Sequence, residues 1–142
     1  IYSVNTRLQE YQISIEEIRN GQFRSSDVPS VPLNKFKNEP FIVLRSDNDT
    51  GKRALTICQE NNFTPHTIFR LDQQMTAYNI ACSGMGITFI GDLLLASAPA
   101  TSELIFYKLP GKNCNRNVSF YWKKGRYISR AMEEFLKIAL PQ

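Results

Sequence analysis

Two short polar stretches hold most of the side chains that could grip a small molecule. The first is Arg45-Ser46-Asp47-Asn48-Asp49-Thr50 and the second is Asp72-Gln73-Gln74. Each lies where an apolar run gives way to a helical pattern. Free backbone N–H groups at a helix start, together with the helix dipole, favour carboxylate, sulfate or phosphate. Ser46, Asn48 and Thr50 add neutral donors, and Arg45 could add a positive charge. The same residue types are the ordinary caps of helices, so capping and ligand binding both remain open at this level. Asp47 and Asp49 would oppose an anion unless their carboxylates point away.

Catalytic chemistry is poorly supplied. His66, the single histidine, follows Pro65 at the start of an apolar run and reads as a strand-edge residue. No Ser, His and Asp set can be built around it. The H-E-x-x-H, C-x-x-C, Walker and dinucleotide-binding patterns are absent. Thr50-Gly51-Lys52 matches only the tail of a phosphate loop. Gly84 and Gly86 follow a helix and precede a strand, the reverse of the dinucleotide order, and read as a helix stop and tight turn. Glu16/Glu17 and Glu133/Glu134 are sequence neighbours that cannot face each other across a cleft. The three cysteines, Cys58, Cys82 and Cys114, are too few and too scattered for a disulfide framework or a zinc site. Cys58 and Cys82 read as core residues and Cys114 as an exposed thiol in a turn. A reduced, cytoplasmic, non-enzymatic protein without metal or cofactor is the expectation.

The elements that must position these loops alternate between strand and helix, which predicts an α/β fold with a largely parallel sheet. Ser14-Ile15-Glu16-Glu17 has the form of a capping box and should open a short helix. Leu33 to Lys37 predicts one helical turn before Pro40. Phe41-Ile42-Val43-Leu44 reads as a buried parallel strand. A helix follows over about 50–62, then a strand over 67–71. Asp72 should cap a second helix reaching about Ser83, with Met75, Tyr78 and Cys82 on one face. A strand over 87–90 and a short helix over 93–98, capped by Asp92, come next. Strands over 104–109 and 118–122 and a helix over about 129–140 complete the chain. The apolar spacing of Ile128, Ala131, Met132, Phe135, Leu136 and Ala139 is the clearest amphipathic signal, and it predicts a buried Phe135.

Bulk properties fit one domain or two small lobes. The chain has 142 residues, with 42% hydrophobic and 21% charged content, enough for a useful core. The formal net charge of +4 is too small and scattered to argue direct nucleic-acid binding. Its densest cluster, Lys123, Lys124, Arg126 and Arg130, reads as a solvated face. No apolar run is long enough to span a bilayer, and no signal peptide is visible.

The ordered series of motifs resembles one family. Leu33-x-x-Phe36-x-x-x-Pro40-Phe41-Ile42-Val43-Leu44 resembles its leading turn and P-F-I strand. Ala81-Cys82-Ser83-Gly84-Met85-Gly86-Ile87 is similar to its V-A-A-G-x-G-I segment. Phe120-Tyr121-Trp122-Lys123-Lys124-Gly125-Arg126, followed by Ser129-Arg130-Ala131 and Phe135-Leu136, resembles its closing strand and helix. The family is the effector-binding domain of LysR-type transcription regulators. Gly91 departs from it by standing where proline is usual, and Gly21 to Ser30 looks like an insertion.

The resemblance implies a type II periplasmic-binding-protein-like architecture. One Rossmann-like subdomain would span 14–100. Residues 101–142 would return to form the C-terminal part of a second, and residues 1–13 would include a crossover strand and linker. It implies a small-molecule effector, here an anionic metabolite, held by Ser46, Asn48, Asp49 and Thr50 after the P-F-I strand and by Gln73 at the next helix start. It also implies homodimers or tetramers, with DNA contacted only through an N-terminal helix-turn-helix that these residues do not contain. The closing strands and helix would then expose apolar surface to another segment or chain. A transporter's solute-binding protein of the same fold is the alternative.

Overall fold

The computed structural model describes residues 8–111, 114–115 and 119–139. Its centre is the apolar run that begins at Pro40. Phe41, Ile42, Val43 and Leu44 are all buried, because this strand has neighbours on both sides and helices on both faces. After β1 (Gln12–Ile13), this strand is β2 (Pro40–Leu44). It pairs in parallel with β3 (His66–Leu71) on one side and with β4 (Ile87–Thr88) on the other. The sheet order is therefore β3-β2-β4.

That order places the connecting helices on opposite faces. After α1 (Ile15–Arg19), helix α2 (Asp49–Glu60) joins β2 to β3, and α3 (Gln74–Cys82) carries the chain from β3 back past β2 to β4. Phe41 and Val43 pack with Ile57 and Cys58 of α2. Ile42 and Leu44, pointing the other way by strand alternation, pack with Ala77 and Ala81 of α3. The helix ends follow simple rules. Asn62 closes the α2 exit in the left-handed region at φ 61°, and Gly84 does the same after α3 at φ 79°. Gly86 is tied to close approach, since a Cβ there would stand 2.7 Å from the Pro40 carbonyl oxygen.

The chain on either side of this unit is laced to it. Ser14 and Glu17 form the expected capping box, with Ser14 N–H donating to Glu17 Oε2 at 2.7 Å and Glu17 N–H donating to Ser14 Oγ at 3.1 Å. Helix α1 packs through Ile15 and Ile18 against Tyr78 and Leu95, the latter in α4 (Asp92–Ser97). Arg19 caps the end of α4 by donating to the Leu95 and Ala98 carbonyls at 3.3 and 2.6 Å. Strand β1 pairs antiparallel with β5 (Phe106–Tyr107). Lys108 then holds the polar segment by donating to the Ser25 and Val28 carbonyls at 2.8 and 3.3 Å.

Several expectations shift. Asp72 does not cap α3. Gln73 is the residue at that cap, and the Asp72 carboxylate turns instead toward Arg45 at 3.6 Å. Gly91, rather than Asp92, precedes α4, while Asp92 pairs with Arg24. The expected strands over 87–90 and 104–109 shrink to two residues each.

The final third departs most. Ser119 to Trp122 forms no strand, because among the described residues no neighbour offers it a hydrogen-bonding ladder. Helix α5 (Arg130–Ala139) forms as its spacing predicts, yet none of its described residues is buried. Phe135 is 54% exposed rather than buried, and its ring contact is an edge-on one with Phe120 at 5.3 Å. The pattern is right for a packed helix, but the described chain supplies no second layer. Residues 1–7 of the expected crossover strand and linker, together with Val118 and Leu140, lie outside the described residues.

Candidate functional site

The chain leaves β2 through α2 toward β3 on one flank, and the connection from β3 through α3 returns past β2 to β4 on the other. A crevice must open beyond the carboxyl ends of β2 and β4, where the two connections diverge. A shallow hollow lies there, with no enclosed space large enough for a water molecule. Its floor is Ile42, Val43, Leu44 and Phe89, and its polar rim is Thr50 and Thr88. Thr88 Oγ1 donates to the Ile42 carbonyl at 2.9 Å, which pins β4 beside β2 at this edge. It encloses nothing near the roughly 300–1,000 Å³ of ordinary ligand pockets.

The loop leaving β2 is held tightly. Arg45 N–H donates to the Leu71 carbonyl at 2.9 Å, which carries the β2–β3 ladder one residue past the strand. Asn48 then caps α2, its Oδ1 accepting from Gly51 N–H at 2.7 Å. Gly51 is required by proximity. A Cβ at that position would sit 2.1 Å from the Arg45 carbonyl oxygen and 2.7 Å from that of Leu44. The first turn of α2 thus rests directly on the end of β2, and Thr50 is placed at the rim of the crevice.

The start of α3 reaches the same point from the opposite face. Gln73 is exposed and makes no side-chain cap. The next residue, half-buried Gln74, crosses the gap: its Nε2 donates to Thr50 Oγ1 at 3.2 Å. Its Oε1 accepts from Gly91 N–H, ahead of α4, at 3.4 Å. A backbone N–H can only donate, so this contact fixes which end of the amide faces Thr50. The Thr50 hydroxyl accepts from Gln74 and keeps its own proton to offer an incoming acceptor.

Local charges are paired within the loops. Arg45 lies 3.7 Å from Asp47 and 3.6 Å from Asp72, all three well exposed. Such exposed contacts contribute little to stability. Asp49 pairs with Arg53 one helical turn on, at 2.8 Å. The two carboxylates that would repel an anion are therefore each turned toward an arginine. Among the described residues no group of His, Cys, Asp and Glu could hold a metal ion.

The structure thus gathers Asn48, Asp49 and Thr50 at the α2 start, with Ser46 exposed on the loop before them and Gln73 at the α3 cap. In the sequence Gln74 stands only as the end of the second polar stretch and Gly51 only as the tail of a phosphate-loop pattern, while Thr88 carries no signal of its own. A glutamine beside a helix start is a weak signal, because only the meeting of two helices from opposite faces gives it a partner. Gly51 was visible in sequence, but its reason is a tertiary approach. His66 is exposed on β3, the edge strand of its sheet. Cys58 is fully buried, and burial pushes its thiol up to about 11, so it is inert at neutral pH. Cys82 is half-buried and Cys114 exposed. No helix among the described residues is long and apolar enough to cross a membrane.

The LysR substrate binding domain matches residues 24–142. The HTH-type transcriptional regulator YcgK of Bacillus subtilis (strain 168) is 26% identical over 112 residues, covering 78% of this chain and 33% of that protein. YybE, from the same organism and of the same description, is 26% identical over 106 residues, covering 75% and 35%. YwbI, likewise, is 25% identical over 114 residues, covering 80% and 38%. The chain spans about a third of the length of these curated relatives. No solved structure matches it. A mixed α/β sheet with a crevice at its strand ends, and a family match that runs through nearly all of that unit, lead to one conclusion: the chain belongs to the LysR substrate-binding domain family, the effector-sensing part of LysR-type transcription regulators.

Proposed function

We propose that the crevice beyond β2 and β4 binds a small anionic metabolite, and that Ser46, Asn48, Asp49, Thr50 and Gln73 form this chain's share of its wall. The observation that carries the reading is the meeting of two helix starts from opposite faces, through Thr50 and Gln74, above a hollow at the strand ends. Open α/β sheets bind ligands at such a point. The Thr50 hydroxyl, with a proton to give, and the N–H groups of the first turn of α2 favour an acceptor such as a carboxylate.

The small size of the hollow fits a site completed by a second wall. In this reading residues 14–100 form one regulatory subdomain. Residues 101–142 return to the other, with crossover strands in 1–13 and near β5. The antiparallel pairing of β1 with β5 suits two strands that pass together between subdomains. The exposed apolar side of α5 suits a subdomain whose remaining sheet comes from elsewhere in the regulator. Effector binding would then change the geometry of a dimer or tetramer in the cytoplasm, and a helix-turn-helix outside these residues would contact DNA. The relatives named as HTH-type regulators favour this over a transporter's solute-binding protein.

Isothermal titration calorimetry of the chain against a panel of small mono- and dicarboxylates and sulfate tests the site. Saturable binding that weakens at least tenfold in the Asn48→Ala/Thr50→Ala double variant supports it. Unchanged affinity in that variant removes the loop from the site.

A further inference from the structure

We infer that Gln74 is the positioning residue of this site, a clasp through which the start of α2 and the start of α4 hold each other in place. The inference rests on the reading of the crevice as the effector site, but it is tested without an effector.

The geometry carries it in three steps. First, α2 and α3 lie on opposite faces of the sheet, and Gln74 at the start of α3 is placed between the first turn of α2 and the loop entering α4. The Gln74 side chain spans the open end between them, at 3.2 Å to Thr50 Oγ1 and 3.4 Å to Gly91 N–H. Second, the neighbouring polar side chains are already committed elsewhere. Asn48 caps α2, and Thr88 bonds the Ile42 carbonyl. Third, Gly91 has φ −81° and ψ 142°, backbone values open to any residue. A Cβ there would meet only Gln74 Oε1, at an ordinary 3.7 Å. Glycine is therefore not needed for shape, and what the position contributes to the clasp is its N–H. The amide joins a donor on one loop to an acceptor on the other. Rotation of either loop must be answered by Gln74, and through it by the second loop.

Amide hydrogen exchange at Gly91, followed by NMR on the chain, tests the coupling. Loss of one hydrogen bond in Gln74→Leu should speed exchange roughly three- to tenfold. Thr50→Val removes a hydroxyl that does not touch Gly91, yet it should also speed Gly91 exchange, because Gln74 loses its anchor. In the Gln74→Leu background Thr50→Val should add nothing. Gln74→Glu keeps the acceptor for Gly91 while losing the amide donor for Thr50. The Thr50 hydroxyl can instead donate to the second carboxylate oxygen, so Gly91 protection should be retained and should still fall in Thr50→Val, a separation from Gln74→Leu that a packing role would not produce. Gly91→Ala keeps the N–H and should behave as the parent chain.

The inference is overturned if Thr50→Val leaves Gly91 exchange unchanged in the parent chain, or alters it equally when Gln74 is leucine. A coupled pair in a chain whose crevice binds no carboxylate or sulfate would sink the effector site and leave the clasp standing. Binding at the crevice without coupling would do the reverse.

Discussion

Gly51→Ala sets local preference against tertiary geometry, and the two predict opposite signs. Gly51 lies inside α2, where alanine is favoured over glycine by about 1 kcal/mol. On that ground alone the variant should be more stable. In the folded chain, however, the new Cβ would stand 2.1 Å from the Arg45 carbonyl oxygen and 2.7 Å from both the Arg45 carbonyl carbon and the Leu44 carbonyl oxygen. All three are backbone atoms, so no rotamer change relieves the overlap. The first turn of α2 must lift by about 1 Å, and overpacking of this kind costs roughly 1–3 kcal/mol. After subtracting the helix preference, we expect a net loss of up to about 2 kcal/mol. Because Thr50 rides on the same turn, its hydrogen bond to Gln74 should lengthen or break. Urea unfolding followed by far-ultraviolet circular dichroism reads the stability change as a lower midpoint at unchanged slope. A midpoint that rises, as for a helix with open space beside it, would refute the close approach of α2 to the end of β2.

Three further outcomes follow from the packing. Tyr78→Phe should lose about 1 kcal/mol in denaturant unfolding, since the buried Tyr78 hydroxyl donates to the Pro99 carbonyl at 2.7 Å; no loss would deny that bond. Phe135→Ala should cost less than about 1.5 kcal/mol, the scale of a single edge-on aromatic contact, whereas a loss of about 3–5 kcal/mol would show a packed helix α5. Exposed Cys114 should react faster with thiol reagents at neutral pH, although burial and Glu60 push its thiol up, while fully buried Cys58 should resist them. Its pKa is raised from the ordinary 9 to about 11 in the fold, so its contribution is intact below pH 9 and is lost as pH climbs through 11, by about 2–3 kcal/mol relative to Cys58→Ala. A pH-independent difference between the two proteins would contradict that burial.

Much of the central unit was legible because local and tertiary signals agree there. The apolar run at Phe41 to Leu44 has no polar face, which only a strand covered on both sides can use. Ser14 with Glu17, and Asn48 before α2, carry their capping chemistry within a few residues, so the helix starts could be read directly. Met75, Tyr78 and Cys82 marked the face of α3 that meets the α1–α4 side. What failed was information held by distant partners. Asp72 is a good cap in isolation, but Arg45 across the strand ends draws its carboxylate, and α3 begins one residue later. The same one-residue difference separates Gln73, expected at the site, from Gln74, whose side chain makes the crossing. Ser119 to Trp122 and α5 show the converse. Their pattern is that of a strand and helix in a packed layer, but among the described residues nothing lies opposite to bury them. Hydrophobic spacing specifies a face, and the partner for that face need not lie in the same stretch of chain.

The central claim is that the strand-end crevice receives a small acceptor-bearing molecule. Its most direct test is an amide-resolved NMR titration of the chain with the small carboxylates and sulfate. Saturable shifts centred on Thr50, Gly51, Gln74 and Gly91, and abolished by Thr50→Ala, are predicted. Saturable shifts confined to another surface, such as the exposed Tyr121, Trp122 and Tyr127, would contradict it.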